Sequence, residues 1–359
     1  MGVRADLFDF ELPREAIAQT PADRRDGSRL LLIDRQTGQV SHQLFSELPD
    51  ILSETRTFFR NNARVLKARL NGFRSGGGKV ECLLLNPAED GLCWWCLLKP
   101  GKRLPVSATF GISGIYSARV MEKAVDGRVR VQFELNGAKD VFQLAEKVGR
   151  LPLPPYIERQ AVDERSDLDE ERYQTVYAAA DKTVAAAAPT AGLHFTPQMM
   201  DCLQSAGHRF EDLTLHVGLG TFRPIQVEQL EQHEMHEELY EVPAATLKAL
   251  KNCSPLAIGT TSLRTIEDLH RKGMLDAEGA IPEAVYRDRA NLFIYPPAIF
   301  YTGALLTNFH LPRSTLICLV SAFLTPGSAD GIEWCREIYQ SALASGYRFY
   351  SYGDAMLIL

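Results

Sequence analysis

The chain has 359 residues, 45% hydrophobic and 23% charged, with a formal net charge of −6. That composition can bury a large core, and at the usual ~100–200 residues per domain it predicts two domains of a soluble globular protein, with neither an internal repeat nor a long disordered tract. Its 7 cysteines are odd in number and lack framework spacing, which excludes a disulfide-stapled scaffold and points to free thiols in a reducing cytoplasm.

At the amino terminus Asp6 breaks the stretch where a secretory signal would stay apolar, and it stands where a myristoylation motif needs Ser or Thr, so neither export nor a lipid anchor is expected. Segment 28–34 (Ser-Arg-Leu-Leu-Leu-Ile-Asp) reads as a strand and 45–52 as a helix, both similar in texture to the later half of the chain. From about Arg64 to Leu135 the pattern changes to short β-like runs, 64–70, 78–85 and 128–135, punctuated by glycine turns. This predicts a small antiparallel β-barrel domain, residues 64–150, inserted into an α/β main domain made of residues 1–63 and 151–359. The stiff proline-rich segment 151–155 marks the exit.

The same region concentrates positive charge. Between Arg56 and Arg103 there are ten Lys or Arg against three acids. Such a stripe binds phosphate if its cations share a face, and is merely solubilising if they do not. Cys93 and Cys96 have CxxC spacing, but no second pair completes a zinc site, and Leu92, Leu97 and Leu98 beside them make two thiols on one strand.

After residue 155 helices alternate with apolar strands, as where the strand-like 255–259 feeds a helix over 262–271, the texture of an α/β unit. Four short turns stand out there: 189–194 (Pro-Thr-Ala-Gly-Leu-His), 215–222 (Leu-His-Val-Gly-Leu-Gly-Thr-Phe), 259–264 (Gly-Thr-Thr-Ser-Leu-Arg) and 307–312 (Thr-Asn-Phe-His-Leu-Pro). Each interrupts an apolar run with groups that bind a small polar ligand. Glycine admits a ligand close to the backbone, and Ser or Thr at a strand-to-helix turn caps the helix while presenting N–H groups to an anion. Segment 233–238 (His-Glu-Met-His-Glu-Glu) lacks HExxH spacing and reads as a solvated acidic stretch, with the role of His236 open. The apolar run 315–324 falls short of the ~20 residues of a membrane helix and reads as a buried helix. Tyr347, Phe349, Tyr350 and Tyr352 alternate mostly at period two, the pattern of a half-buried strand with one functional face at most.

Together with 6–13 (Asp-Leu-Phe-Asp-Phe-Glu-Leu-Pro) and 347–356 (Tyr-Arg-Phe-Tyr-Ser-Tyr-Gly-Asp-Ala-Met), these turns resemble, in order and over nearly the whole chain, the S-adenosylmethionine:tRNA ribosyltransferase-isomerase family of queuosine biosynthesis. The resemblance implies that the ribosyl part of S-adenosylmethionine is moved to 7-aminomethyl-7-deazaguanine at the wobble position of a tRNA and isomerised into epoxyqueuosine, releasing adenine and methionine. It implies a cytoplasmic enzyme that needs no metal, with S-adenosylmethionine as co-substrate rather than cofactor and the tRNA anticodon arm as partner. A monomer without membrane association is expected.

Protons on carbon beside a sulfonium are acidic, so the expected course is abstraction by a general base, ring opening that expels adenine, attack by the aminomethyl nitrogen, and epoxide closure that releases methionine. His194, His216, His310 and Asp354 are the eligible proton carriers, although a lone histidine is more often a satisfied hydrogen-bonding residue. Thr190, Gly192, Gly218, Gly220, Thr221, Thr260, Thr261, Ser262, Asn308 and Tyr352 are the candidate substrate-binding residues, with Arg264 as charge partner for a carboxylate; helix capping alone would also explain the hydroxyls of 260–262. Arg60, Asn62, Arg64, Lys67, Arg69, Lys79, Lys102 and Arg103 are the candidate tRNA contacts.

The chain departs from the family's pattern mainly in that stripe, losing a hydroxyl at Ala63 and gaining cations at Arg60 and Lys67; Pro297 replaces a usual glycine, and Glu237 a small residue. Two alternatives stay open: another S-adenosylmethionine-dependent RNA-modifying enzyme, such as a methyltransferase, for which a strand-linked GxGxxG is missing, and a non-catalytic tRNA-binding relative.

Overall fold

A computed structural model describes residues 2–88, 91–159, 163–218, 224–276 and 281–359. In chain order its strands are β1 Arg29–Ile33, β2 Val40–Leu44, β3 Thr57–Asn61, β4 Arg64–Val65, β5 Arg69–Arg74, β6 Lys79–Pro87, β7 Cys93–Lys99, β8 Thr109–Ile112 and β9 Tyr116–Lys123. They continue as β10 Val129–Leu135, β11 Thr183–Ala185, β12 Arg209–Leu215, β13 Glu238–Val242, β14 Pro255–Ile258, β15 Tyr286–Ala290, β16 Ala304–Asn308 and β17 Ala355–Ile358. The α-helices are α1 Leu48–Ile51, α2 Val141–Val148, α3 Ser166–Arg172, α4 Pro197–Ser205, α5 Ala244–Lys251, α6 Gly259–Arg271, α7 Thr315–Leu324 and α8 Gly331–Ala344.

The chain divides into two units, one of Met1–Ala63, Pro155–Lys182 and Ala188–Leu359, the other of Arg64–Pro154 and Thr183–Ala187. In the first, nine strands of the described residues form a mixed sheet in the order β15-β13-β12-β3-β14-β16-β17-β1-β2. Its central strands are largely apolar, with polar residues at the ends of β3 and β16, and every residue of β14, β16 and β17 is buried. That is the signature of strands covered on both faces. Alternate residues Leu30, Phe58, Leu256, Leu306 and Leu357 pack with Phe195, Met199 and Leu203 of the α4 region, while α6 lies against β3, β14 and β16. The run 315–324 is the buried helix α7, capped where Ile317 N–H donates to Ser314 Oγ at 3.3 Å. Among the described residues no helix is long and apolar enough to cross a membrane.

The second unit is a closed antiparallel barrel in the order β10-β7-β6-β5-β8-β9. Leu70, Val80, Cys82, Leu84, Trp94, Cys96, Val131 and Phe133 alternate inward to fill it, together with Val141 and Leu144 of α2. Cys93 and Cys96 lie on strand β7 as read from the sequence, and burial keeps the Cys96 thiol protonated by raising its pKa well above the ordinary value. The expected 64–70 strand is two pieces, because β4 pairs with β11 while β5 pairs with β6 and β8.

The expected strand over Tyr347–Tyr352 is also corrected. This segment is an irregular turn that takes Tyr350 to φ +73°, and all four aromatic rings are buried rather than alternating in and out. The segment packs from several sides at once, and Arg348 and Asp354 close it by a backbone hydrogen bond of 2.8 Å.

Glu267 of α6, 1% exposed, fixes the approach to β16: its carboxylate accepts from the N–H groups of Tyr301 and Thr302 at 3.1 and 2.9 Å and from Thr302 Oγ1 at 2.7 Å. Glu267→Ala strands two N–H groups and a hydroxyl, and should cost about 2–4 kcal/mol in urea unfolding, with Glu267→Gln milder. A loss for Glu267→Ala within about 0.5 kcal/mol of zero would refute this bracing role.

Candidate active site

Strands β12, β3, β14 and β16 lie side by side and parallel, so their carboxyl ends open on one edge of the sheet, where ligands of open α/β sheets bind. β17 runs antiparallel to β16 and brings the turn before it to the same edge. A cleft of about 660 Å³ is lined there by Thr190, by Val217 after β12, by Thr260 and Thr261 at the start of α6, by Asn308 and His310 at the end of β16, and by Tyr350 and Ser351. All four turns singled out from the sequence contribute to it.

Gly259, at φ +86°, lets β14 turn directly into α6. The hydroxyl of Thr261 is buried without a partner, a deficit of about 1–3 kcal/mol that an acceptor on a ligand would relieve. The Tyr350 hydroxyl is likewise unpartnered, and its ring stacks on Tyr156 at 4.3 Å, forming an aromatic wall.

Of the four expected proton carriers, His310 lines the cleft. Its Nε2 lies 2.9 Å from Thr307 Oγ1, its backbone N–H donates to Tyr339 Oη at 3.1 Å, and burial pushes its pKa down to about 3. His194 lines a neighbouring cavity instead. It is held between Ser28 Oγ at Nδ1, 2.7 Å, and Asn308 Nδ2 at Nε2, 3.1 Å, with its ring stacked on Phe45. Because the Asn308 amide donates to Nε2, the proton of the neutral ring resides on Nδ1, and burial lowers the pKa to about 4. His216 flanks the cleft through its neighbour Val217; its Nε2 is 3.3 Å from Glu241 Oε1, and burial lowers its pKa against the pull of that carboxylate. The Asp354 carboxylate accepts from the N–H groups of Arg29 and Arg348 at 3.0 and 2.8 Å and faces both their guanidinium groups, which makes it a brace of its turn.

Among the expected substrate-binding residues, Thr190, Thr260, Thr261 and Asn308 line the cleft. Gly192 does not; a Cβ there would sit 1.9 Å from Tyr177 Oη, so the glycine serves packing. Ser262 is fully buried and donates to Ile258 O at 2.8 Å, an internal helix bond. Arg264 is buried against Glu238 at 2.6 Å, which also corrects the solvated reading of that glutamate; Gly218 donates its N–H to the same carboxylate at 2.9 Å. Tyr352 lines the second cavity and donates to Asp169 Oδ1 at 2.8 Å. Gly220 and Thr221 lie outside the described residues. Sequence reasoning missed Ser28, Tyr156, Asp169, Arg172 and Glu241, whose partners are remote in the chain.

The basic stripe divides. Arg60 pairs with Asp212 at 2.5 Å and lies over the Tyr177 ring at 4.5 Å, with only 13% of its side chain exposed. The Asn62 side-chain oxygen accepts from Thr214 Oγ1 at 2.7 Å. Arg64 faces Glu146 at 3.7 Å and Arg69 pairs with Glu81 at 2.7 Å. Lys67 is half-buried, whereas Lys79, Lys102 and Arg103 are exposed on the barrel unit.

Residues 5–358 match the family profile described as queuosine biosynthesis protein. The S-adenosylmethionine:tRNA ribosyltransferase-isomerase of Thermotoga maritima is 41% identical over 364 residues, covering 99% of this chain and 100% of its own. The enzyme of the same name from Rubrobacter xylanophilus is 43% identical over 363 residues, covering 99% and 98%. The crystal structure of the Thermotoga maritima S-adenosylmethionine tRNA ribosyltransferase matches with a TM-score of 0.52 at 33% identity, over 98% of this chain and 100% of that one.

The buried imidazoles make stability depend on pH. Folding holds His194 and His310 at pKa values of about 4 and about 3, below the ordinary 6.5, so the unfolded chain takes up protons first as pH falls. Their contribution is therefore complete above about pH 6.5 and is lost progressively toward their folded values. Between about pH 6.5 and about pH 5 each should weaken the fold by on the order of 1 kcal/mol per pH unit, and His310→Gln should remove its share of that slope in denaturant titrations. An unchanged slope in the variant would contradict the assignment.

Proposed function

The chain belongs to the queuosine biosynthesis protein family, and from that premise we infer that it is an S-adenosylmethionine:tRNA ribosyltransferase-isomerase. It transfers the ribosyl moiety of S-adenosylmethionine to 7-aminomethyl-7-deazaguanine at the tRNA wobble position and isomerises it to epoxyqueuosine, releasing adenine and methionine. The observation that carries the reading at the level of residues is the convergence of Thr190, Thr260, Thr261, Asn308 and His310 on one cleft beside the Tyr156–Tyr350 pair.

In the proposed division of labour, His310 is the proton carrier. Its neutral imidazole accepts a proton from the carbon beside the sulfonium, and because its conjugate acid is strong it passes that proton on to the departing adenine. His216, oriented by Glu241, is the second candidate for proton transfer at the cleft rim. His194 and Asp354 position the turns rather than touch the reacting atoms. The stacked tyrosines accommodate the cationic sulfur by cation–π attraction. Lys79, Lys102 and Arg103 are the proposed backbone contacts of the tRNA. The reaction consumes S-adenosylmethionine as co-substrate and is proposed to need no metal or further cofactor, in a monomer of the cytoplasm.

Incubation with S-adenosylmethionine and tRNA carrying the deazaguanine precursor should yield free adenine, free methionine and the mass-shifted nucleoside; S-adenosylhomocysteine as product would mark a methyltransferase instead. His310→Ala should lower kcat by about a hundredfold or more with an intact fold by circular dichroism. Near-normal turnover of that variant would sink the proton-carrier assignment.

A further inference from the structure

A second cavity of about 260 Å³ shares Ser351 with the cleft and is lined by Arg25, Arg172, Arg348 and His194. Its guanidinium groups are held mainly by backbone carbonyls: Arg25 donates to Glu171 O at 2.7 Å and Leu193 O at 3.2 Å, Arg172 to Ala22 O at 2.8 Å and Asp23 O at 3.2 Å, and Arg348 to Thr20 O at 3.3 Å. Carbonyls orient a guanidinium without neutralising it. The nearest carboxylates are already committed, Asp354 being shared between Arg29 at 3.4 Å and Arg348 at 3.9 Å, and Asp169 held by Arg159 at 2.6 Å. Glu171 acts on Arg25 from the exposed surface. Arg172, 9% exposed, keeps its Nε without a partner. At His194 burial disfavours protonation and Asp354 opposes it, while Arg348 and Arg172 add smaller pushes in the direction of burial.

We propose that this cavity is the subsite for the carboxylate at the methionyl end of S-adenosylmethionine, with the adenosyl end in the adjoining cleft. The assignment rests on the functional reading above. That carboxylate is the donor's one anionic group at neutral pH, and planar guanidinium forks match its geometry. The other candidate, Arg264, also keeps its Nε and Nη2 without a partner, but it is ion-paired with Glu238 at 2.6 Å and does not line the cleft. The Asn308–His194 hydrogen bond links the cleft wall to the arginine cavity, and Ser351 lines both, so the two spaces adjoin.

The test compares S-adenosylmethionine with its decarboxylated analogue at saturating tRNA, reading adenine release by wild type and by Arg348→Gln. Wild type should show a KM at least about tenfold higher for the analogue. Arg348→Gln should raise the KM for S-adenosylmethionine by a similar factor while leaving that for the analogue unchanged, so that the two losses do not add; its retained use of the analogue doubles as the folding control. Equal use of both donors by wild type, or equal weakening of both by Arg348→Gln, overturns the assignment. A rise confined to the KM for tRNA overturns it in favour of an RNA phosphate. Adenine release from neither donor by wild type overturns the functional reading itself, and this subsite with it.

Discussion

The site depends on one buried amide. Asn308, at the carboxyl end of β16 and 2% exposed, accepts from Thr190 Oγ1 at 2.9 Å and donates to His194 Nε2 at 3.1 Å and to the carbonyl of Asp354 at 3.4 Å. The turn 190–194, more than a hundred residues away in the chain, and the turn before β17 are thus tied to one strand end. Asn61, at the end of β3, does the same on the other side: its side-chain oxygen accepts from Ala63 and Leu215 N–H groups and its amide donates to Leu215 O. An amide suits this task because it offers donors and acceptor together without a charge to desolvate. The parallel strands place the turns at one edge, and the two asparagines set where on that edge each turn stands.

Around this neutral centre the charges are paired and buried. Arg264 with Glu238, Arg159 with Asp169, and Lys182 with Glu241 all have short contacts in poorly exposed settings. Such pairs gain little net stability, since desolvation offsets their attraction, but removing one partner leaves an uncompensated charge. Their effect is geometric: Glu238 ties the start of β13 to α6 and to Gly218, and Glu241 ties His216 to Lys182. The loops carrying ligand-binding groups are therefore held by interactions with few alternative geometries, as a preorganised site requires.

The turns were legible because their chemistry is local: a hydroxyl, a glycine and an imidazole within six residues of an apolar strand reveal a loop at a strand end. The barrel was legible from its short alternating runs. What local reading could not see were partners remote in sequence. Arg60 belonged to a basic stripe until Asp212, carried by the neighbouring strand β12, claimed it; Glu238 belonged to an acidic run until Arg264 buried it. Asp354 had the look of a proton carrier, yet its bonds run to Arg29 at the far end of the chain. The aromatic run 347–352 alternates like a strand, but the positive φ at Tyr350 gives it a turn in which each ring finds a separate buried place. A formal charge or period describes one residue's neighbourhood along the chain, whereas a site is assembled from neighbourhoods across the sheet.

The two cavities also sort charge in a way that fits a zwitterionic, sulfonium-bearing donor. A cationic sulfur beside unneutralised guanidinium groups would be repelled, and a carboxylate beside an aromatic face would lose hydration without compensation. The cleft avoids the first by presenting hydroxyls, the stacked Tyr156–Tyr350 pair and a histidine that burial keeps uncharged. The second cavity avoids the other by gathering three arginines whose donors are held mainly by carbonyls, with Asp354 shared between Arg29 and Arg348. A neutral His310 fits that sorting, because a protonated imidazole in the cleft would oppose a sulfonium and burial disfavours that protonation.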